Sequence, residues 1–158
     1  MLNRITALVV LSAAAAAFLP SAVATASPEG TMTLTARFEP RSMVKVGGGK
    51  GPSPGETIVF STSLKRGGKP AGRGEFVQTV VDPKYRGISI RADLLLADGT
   101  IELQGGGVSL RPPGEAKPTR ETDMAIVGGT GAYAGAAGSA DLSATGHLTQ
   151  RLILTFSD

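Results

Sequence analysis

The residues that most suggest chemistry are glycines that follow an apolar run in AIVGGTGAYAGAAGSA, residues 125–140. Within this stretch GTGAYA, residues 129–134, has the G-x-G-x-x-G/A spacing of a turn that binds the pyrophosphate of a dinucleotide. Such a turn opens a helix, and an acidic residue follows about 20 residues later to bind the ribose. Here the chain after Gly131 is too rich in glycine for a packed helix, and Asp141 comes too early. The pattern therefore favours a tight corner over a nucleotide site.

A second glycine-rich stretch, VGGGKGPSPG at residues 46–55, resembles a phosphate-binding loop of the G-x-x-x-x-G-K-S/T type. That loop requires glycine at position 44 and a hydroxyl at position 51, where this chain has Val44 and Gly51. No helix pattern follows it. The stretch is therefore interpreted as a flexible loop bounded by Pro52 and Pro54.

Other catalytic groups are few. His147 is the only histidine and there is no cysteine, which excludes thiol catalysis, zinc–thiolate sites and zinc sites built on several histidines. No nucleophile elbow accompanies His147 and no loop has calcium-site spacing, so we expect no metal. Most of the other Asp and Glu residues occupy polar strand or turn positions, where solvent exposure is expected. Glu39 differs, because it directly follows the apolar face of the first predicted strand. Period two points Glu39 outward, unless a β-bulge turns it toward the interior.

Apolar and polar residues alternate with period two through most of the chain after residue 30, as in strands with one buried face. Asp98-Gly99 predicts a two-residue hairpin, and the other joins are short and rich in Gly, Pro, Asp or Lys. Segments 57–64 and 74–82 are apolar on both faces, which predicts the most buried strands. Eight strands are predicted in all, at residues 31–38, 57–64, 74–82, 87–97, 99–104, 121–128, 137–144 and 147–156.

This order of strands predicts the fold class. Neighbouring strands with short joins form an antiparallel meander, and eight of them suit a closed barrel that has no exposed edges. The prediction is an all-β protein with an eight-stranded antiparallel closed β-barrel, lipocalin-like in shape, whose interior holds side chains or one small ligand. A β-sandwich is the alternative, because periodicity alone does not separate the two.

The amino-terminal segment has a different composition. Residues 1–26 contain one early cation, Arg4, and an apolar run that ends in small residues, which predicts a secretory signal peptide cleaved after Ala26. The run is shorter than the ~20 residues that span a bilayer, so no membrane anchor is expected after cleavage. Residues 27–158 then form one secreted, extracellular domain. The net charge of +3 is spread along the chain, which argues against a nucleic-acid partner.

Four stretches of the chain resemble, in order, the allene oxide cyclase and dirigent-like β-barrel superfamily, in particular its secreted bacterial members. These stretches are GPSPGETIVFSTSL, KPAGRGEFVQTVVD, LADGTIELQGGG and DMAIVGGTGAYAGAAGSADL. The last is close to the superfamily's signature of a strand that ends in two glycines, then Thr-Gly or Ser-Gly, an aromatic residue and a small-residue turn. The resemblance implies that Gly128, Gly129, Gly131 and Tyr133 are structural residues, which form a corner between two barrel strands.

The resemblance also implies a function. Barrels of this kind hold a small, largely hydrophobic molecule and steer its cyclisation or stereoselective coupling, with neither a metal nor an organic cofactor. The pocket would be lined by Phe60, Thr62, Phe76 and Gln78, and Glu39 would be the catalytic acid that stabilises or moves charge. Self-association as a homodimer or homotrimer is implied as well.

Several positions depart from the superfamily's pattern. Thr62 and Arg41 stand where the cyclases have water-holding asparagines, and Gln78 stands where they have a cysteine. Ala137 stands where dirigent proteins have an arginine. These departures keep a second hypothesis open, in which the secreted barrel is a non-enzymatic small-molecule carrier or a structural and interaction module. The sequence alone does not decide whether the protein is an enzyme.

Overall fold

The structure is a computed structural model, and it describes residues 28–47, 53–82, 84, 87–108 and 122–157. The signal segment 1–26 and most of the glycine-rich loop, at 48–52, lie outside the described residues. Two short 3-10 helices, Pro40–Ser42 and Gly131–Tyr133, follow β1 and β7. The strands of the described part are β1 Gly30–Phe38, β2 Val44–Val46, β3 Thr57–Arg66, β4 Lys69–Asp82, β5 Gly87–Leu96, β6 Gly99–Val108, β7 Thr122–Gly129, β8 Ala137–Ala144 and β9 Thr149–Ser157.

The strands form one antiparallel sheet in the order β1-β9-β8-β7-β6-β5-β4-β3-β2. β1 also pairs with β3, from Thr35 opposite Lys65 to Phe38 opposite Thr62, and this pairing closes the sheet on itself. The result is a closed eight-stranded antiparallel barrel, with β2 as a short additional strand beside β3. The predicted all-β barrel is confirmed, and the sandwich alternative is wrong because one sheet supplies the whole wall.

The core lies inside the barrel. Leu34 and Ala36 of β1 point inward and are buried, whereas Thr33 and Thr35 beside them are exposed. The same alternation runs through β5, and twenty buried residues from the barrel strands and from the corner between β7 and β8 form one continuous cluster. Burying each large apolar side chain contributes roughly 1.5–3 kcal/mol. The alternation of apolar and polar residues therefore gives each strand an outer face that meets solvent and an inner face whose side chains fill the interior.

Strand lengths and burial differ in part from the sequence-based expectation. β4 begins at Lys69 rather than at residue 74, and β6 continues to Val108 through three consecutive glycines. The expectation that 57–64 and 74–82 are the most buried strands is wrong, because Val59 and Val77 are 38% and 39% exposed. Both valines point outward from a wall that is one sheet thick, so their side chains meet solvent.

The two ends of the barrel differ. The hairpins after β3 and β5 and the 3-10 turn Gly131–Tyr133 lie at one end, here called the closed end. Tyr133 belongs to the core there and packs against Phe156. The opposite end, here called the mouth, is where β1, β4, β6 and β8 end and where β3, β5, β7 and β9 begin.

The corner at the closed end depends on the backbone of Gly131. Gly128 and Gly129 end β7, and Gly131 then adopts a φ of 61°, in the left-handed region. The N–H of Ala132 donates a hydrogen bond to the Asp98 carbonyl at 2.8 Å, which ties this corner to the hairpin between β5 and β6. A Cβ at position 131 would collide with the same carbonyl oxygen. Glycine is therefore required here by both conformation and space.

We expect Gly131→Ala to lower the free energy of unfolding by about 2 kcal/mol more than Gly67→Ala. Gly67 is the matched control, because its φ of 56° is similar and the space around its Cβ position is open. The left-handed conformation costs an alanine roughly 1–2 kcal/mol at either position. Chemical denaturation of both variants measures the difference, and equal losses would show that the Asp98 carbonyl does not confine position 131.

Candidate functional site

Three phenylalanine rings, here called the aromatic cluster, pack together on the inner wall near the mouth. Phe60 of β3 lies opposite Phe76 of β4, and their rings stack with centroids 5.1 Å apart and planes inclined by 2°. Phe38, the last residue of β1, meets Phe60 edge to face at 5.4 Å. Phe76 is 1% exposed, whereas Phe38 and Phe60 are half-buried. The outer two rings are thus partly accessible at the mouth.

A buried hydroxyl lies deeper on the same inner face. Thr62 follows Phe60 by one inward position and is paired with Phe38 on one side and Gly74 on the other. Its Oγ1 is buried and has no hydrogen-bond partner among the described residues. Gly74 provides the room, because a Cβ there would lie 2.6 Å from Thr62 Oγ1 and 2.8 Å from the Phe76 ring. The floor beneath the aromatic cluster therefore contains a polar atom.

A carboxylate is buried at the rim of the mouth. Glu56 immediately precedes β3, and period two places it on the same inner face as Ile58 and Phe60. Its residue is only 4% exposed. The backbone is fixed, because the N–H of Val80 donates to the Glu56 carbonyl at 2.8 Å and the Glu56 N–H donates to the Ser53 carbonyl at 3.0 Å. The position of this acidic side chain is therefore set by the barrel wall.

Lys45 holds one oxygen of this carboxylate. Lys45 lies opposite Ile58 in the pairing of β2 with β3, so it shares the inner face of the wall. Its Nζ is 3.0 Å from Glu56 Oε1. The second oxygen, Oε2, is buried and has no hydrogen-bond partner among the described residues. A buried acceptor without a donor is costly, so this oxygen is suited to receive a hydrogen bond from a bound molecule.

A third buried oxygen lies on the opposite wall. Thr122 begins β7, which is four strands away from β3 around the barrel. Its side chain faces Gly107 of β6, where a Cβ would lie 3.3 Å from Thr122 Cγ2. Thr122 Oγ1 also has no partner within the described part of the chain. Because buried polar groups in folded proteins are nearly always satisfied, these inward-facing oxygens indicate where a polar group of a ligand or a water would be accommodated.

The predicted pocket residues Phe60, Thr62, Phe76 and Gln78 come together on the inner face of β3 and β4. Phe60 and Phe76 form the stacked pair, and Thr62 lies beneath them. Gln78 is half-buried and lies opposite Ile58, one inward position closer to the mouth than Phe76. These four residues are therefore neighbours on the inner wall, where Phe60 and Gln78 are half-buried and Thr62 and Phe76 are fully buried.

Glu39 lies apart from that surface. Its N–H donates to the Ser61 carbonyl at 3.1 Å, and its carbonyl accepts a hydrogen bond from Ser42 Oγ at 2.7 Å. These bonds fix the backbone where the chain leaves β1 for the first 3-10 turn, and the Glu39 residue is exposed. The exposure agrees with strict period two. A catalytic role for Glu39 stays a prediction, whereas Glu56 is the carboxylate that the fold buries at the mouth.

Sequence reasoning missed Glu56, Lys45 and Phe38 as site residues. Both Glu56 and Phe38 carried a signal. Phe38 lies on the apolar face of the predicted strand 31–38, and period two extended by one step from strand 57–64 places Glu56 inward. Lys45 carried none. It belongs to a strand of three residues that, within the described part of the chain, pairs with the beginning of β3.

A shallow cleft of about 360 Å³ on the outer wall is a separate feature, lined by Thr35, Arg37, Lys65, His147, Leu148 and Thr149. It is open to solvent, and none of the buried unpartnered oxygens described above belongs to it. The mouth, and not this cleft, therefore combines burial, aromatic surface and unsatisfied polar atoms.

The part of the chain that the structure describes has neither a metal-binding cluster nor a membrane-spanning helix. No group of three or more His, Asp or Glu side chains there could hold a metal ion. No helix among those residues is long and apolar enough to cross a bilayer.

Tyr133 anchors the closed end. Its residue is 4% exposed, and its ring stacks near Phe156 with centroids 6.2 Å apart. Its hydroxyl donates a hydrogen bond to Asp98 Oδ2 at 3.1 Å. Burial raises the pKa of the phenol above its ordinary value of 10.0, and the hydrogen bond and charge of Asp98 raise that pKa further, while Arg66 opposes them. The residue therefore acts as a packed, protonated anchor.

Known proteins were compared with this fold. No protein-family model matches the sequence, and no curated protein matches it. Among solved structures, a pyocyanin demethylase superimposes with a TM-score of 0.63 and 25% sequence identity, over 80% of this chain and 99% of that one. The pterocarpan synthase dirigent protein GePTS1 superimposes with a TM-score of 0.61 and 20% identity, over 86% of this chain and 92% of that one.

The fold and the mouth define this chain as a closed antiparallel β-barrel with an apolar core and an aromatic cluster near one end. More narrowly, it has the fold of the allene oxide cyclase and dirigent-like barrel superfamily, in which both structural neighbours lie. The resemblance to this superfamily is confirmed, and its likeness to secreted bacterial members in particular stays a prediction.

We expect Tyr133→Phe to lower the free energy of unfolding at neutral pH by about 1–2 kcal/mol, because the hydrogen bond to a charged acceptor is lost. The folded pKa of Tyr133 exceeds the unfolded value of 10.0. The phenol's contribution is thus fully present below that value and is lost as pH rises through the folded pKa. Denaturation titrations from about pH 8 to pH 11 should show the gap between wild type and variant shrinking, and a constant gap would contradict this assignment.

Proposed function

We propose that this chain is a secreted β-barrel that binds a small hydrophobic molecule at its mouth. The observation that carries the proposal is the aromatic cluster, whose two outer rings are half-buried and point inward. Ligand sites in proteins are typically apolar and aromatic, with a few placed polar groups that orient the ligand. Here the polar groups are Glu56, Thr62 and Gln78, which share an inner wall with the rings.

The structural neighbours support a small-molecule role. One is named a demethylase of pyocyanin and the other a pterocarpan synthase dirigent protein, and both names refer to action on a small organic molecule. We extend that class of function, and no particular substrate, to this chain. If the barrel is catalytic, it steers cyclisation or stereoselective coupling by orienting a reactive molecule and shielding it from water. No organic cofactor is part of this proposal.

A non-enzymatic carrier or structural module is the second candidate. It is favoured by the exposure of Glu39, which leaves the predicted catalytic acid outside the aromatic cluster. It is also favoured by the filled interior, because apolar side chains are buried both toward the closed end, as Ile101 is, and in the mouth half, as Ile88 and Leu142 are. A ligand would then contact the half-buried rings at the rim. Incubation with an allene oxide or with phenolic radicals, followed by chiral chromatography, separates the two candidates, because a carrier leaves product ratios unchanged.

Secretion and self-association complete the proposal. Residues 1–26 lie outside the described part of the structure, so the signal peptide rests on its sequence pattern. A homodimer or homotrimer would pack barrel exteriors. Val44, Val59 and Val77 stand in direct cross-strand register on the outer wall and are exposed, so they supply an apolar surface for such packing.

We expect Phe60→Leu to weaken binding of the uncharged dye Nile red about two- to tenfold, because the aromatic contact between the ring and the dye contributes roughly 0.5–1.5 kcal/mol beyond its area. The substitution nearly conserves volume and should leave the barrel folded. Phe156→Leu is the matched control, because that ring is inward-facing but lies at the closed end. Dye fluorescence measures both affinities. Absence of binding to the wild type, or equal losses in the two variants, would overturn the mouth as the site.

A further inference from the structure

The ion pair at the rim of the mouth leaves one oxygen unsatisfied. Glu56 is 4% exposed, and its Oε1 is paired with Lys45 Nζ at 3.0 Å. Its Oε2 is buried without a donor among the described residues. The Lys45 side chain, by contrast, is 45% exposed, so the ammonium reaches the pair from the solvent side. The unsatisfied oxygen is therefore an acceptor in a confined place.

The charge of Lys45 decides what kind of donor suits that oxygen. Lys45 already balances the negative charge of Glu56, so a second cation at Oε2 would be repelled by the first and would lose its own hydration. A neutral O–H group adds no charge and supplies the one missing hydrogen bond. Hydrogen bonds to a charged acceptor are also stronger than those between neutral groups. A neutral hydroxyl is the better match.

The inner wall next to Glu56 indicates the chemistry of the rest of a ligand whose hydroxyl binds Glu56. Ile58 is the next inward residue, roughly 7 Å along the strand, and Phe60 follows at the same spacing. Both are half-buried. Phe60 begins the aromatic cluster, so the two inward residues of β3 that follow the carboxylate are apolar, with Gln78 across from Ile58 and the Thr62 hydroxyl beyond Phe60. A molecule that lies over Ile58 would have its hydroxyl at Glu56 and its apolar body against Phe60.

We propose that Glu56, held by Lys45, accepts a hydrogen bond from the neutral hydroxyl of an otherwise apolar alcohol whose body lies over Ile58 and Phe60. The proposal rests on the proposed binding of a hydrophobic molecule at the mouth and specifies the polar end of that molecule. Glu56 is then the residue that selects alcohols over molecules of the same shape that lack a donor.

Three probes of nearly equal shape test this selection on the purified protein. Naphthylmethanol has the hydroxyl donor, its methyl ether keeps the oxygen but lacks the donor, and naphthylmethylamine is a cation at neutral pH. The chain has no tryptophan, so naphthalene fluorescence reports each binding isotherm without a strong protein background. The wild type should bind the alcohol about tenfold more tightly than the ether. The amine should bind no more tightly than the ether, because of Lys45.

Glu56→Gln removes the charge of the acceptor with little change in shape. We expect it to reduce the preference for alcohol over ether to within about threefold. Glu75→Gln is the matched control, because Glu75 is also paired with a cation, Arg73 at 3.4 Å, but on the exposed outer wall. That variant should keep the tenfold preference. If Glu56→Gln does not fold, Glu56→Asp retracts the carboxylate by one methylene and should also reduce the preference.

The outcomes separate the two levels of the proposal. If the wild type binds no probe, hydrophobic binding at the mouth fails, and the role of Glu56 fails with it. If the wild type binds all probes but does not prefer the alcohol, or if Glu56→Gln keeps the full preference, binding at the mouth stands and the role of Glu56 is wrong. Tightest binding of the amine would likewise overturn the choice of a neutral hydroxyl.

Discussion

The pairing of β1 with β3 is the constraint on which the rest of the structure depends. It turns an open sheet into a closed wall, so that one face of every barrel strand is enclosed and the other faces outward. Once the wall is closed, period two fixes which residues meet inside, and a side chain changes face only through a bulge. Phe38 and Thr62 lie opposite each other at the mouth end of this pairing, so closure itself assembles the site.

The two ends of the barrel differ in how well their buried polar groups are hydrogen-bonded. At the closed end, Gly131 lets the chain turn against the hairpin at Asp98, and Tyr133 fills the interior with a hydrogen-bonded ring. At the closed end, backbone conformation, side-chain packing and hydrogen bonding therefore all favour the same structure. At the mouth hydrogen bonding is incomplete, because Glu56 and Thr122 bury oxygens that lack a partner among the described residues. Unsatisfied polar groups in an otherwise consistent fold are expected where a protein binds something.

Much of this arrangement could be predicted from sequence, because it follows from local periodicity. The eight strands and the barrel derive from period two, whereas the placement of Phe60 and Phe76 in one pocket is implied by the resemblance to a superfamily. The resemblance to a superfamily identified Gly131 and Tyr133 as a corner. What could not be predicted depends on contacts between distant segments: the strand that carries Lys45 is defined only by its partner.

The central claim is that the mouth, and neither the closed end nor the outer wall, binds the ligand. Methyl NMR of isoleucine-labelled protein tests it directly during titration with naphthylmethanol. Ile58 lies on the inner wall at the mouth, Ile101 is buried toward the closed end, and Ile153 points outward from β9. The predicted result is a saturable shift of the Ile58 methyl signal while the other two stay in place. Shifts of Ile101 or Ile153 with Ile58 unchanged would contradict the claim.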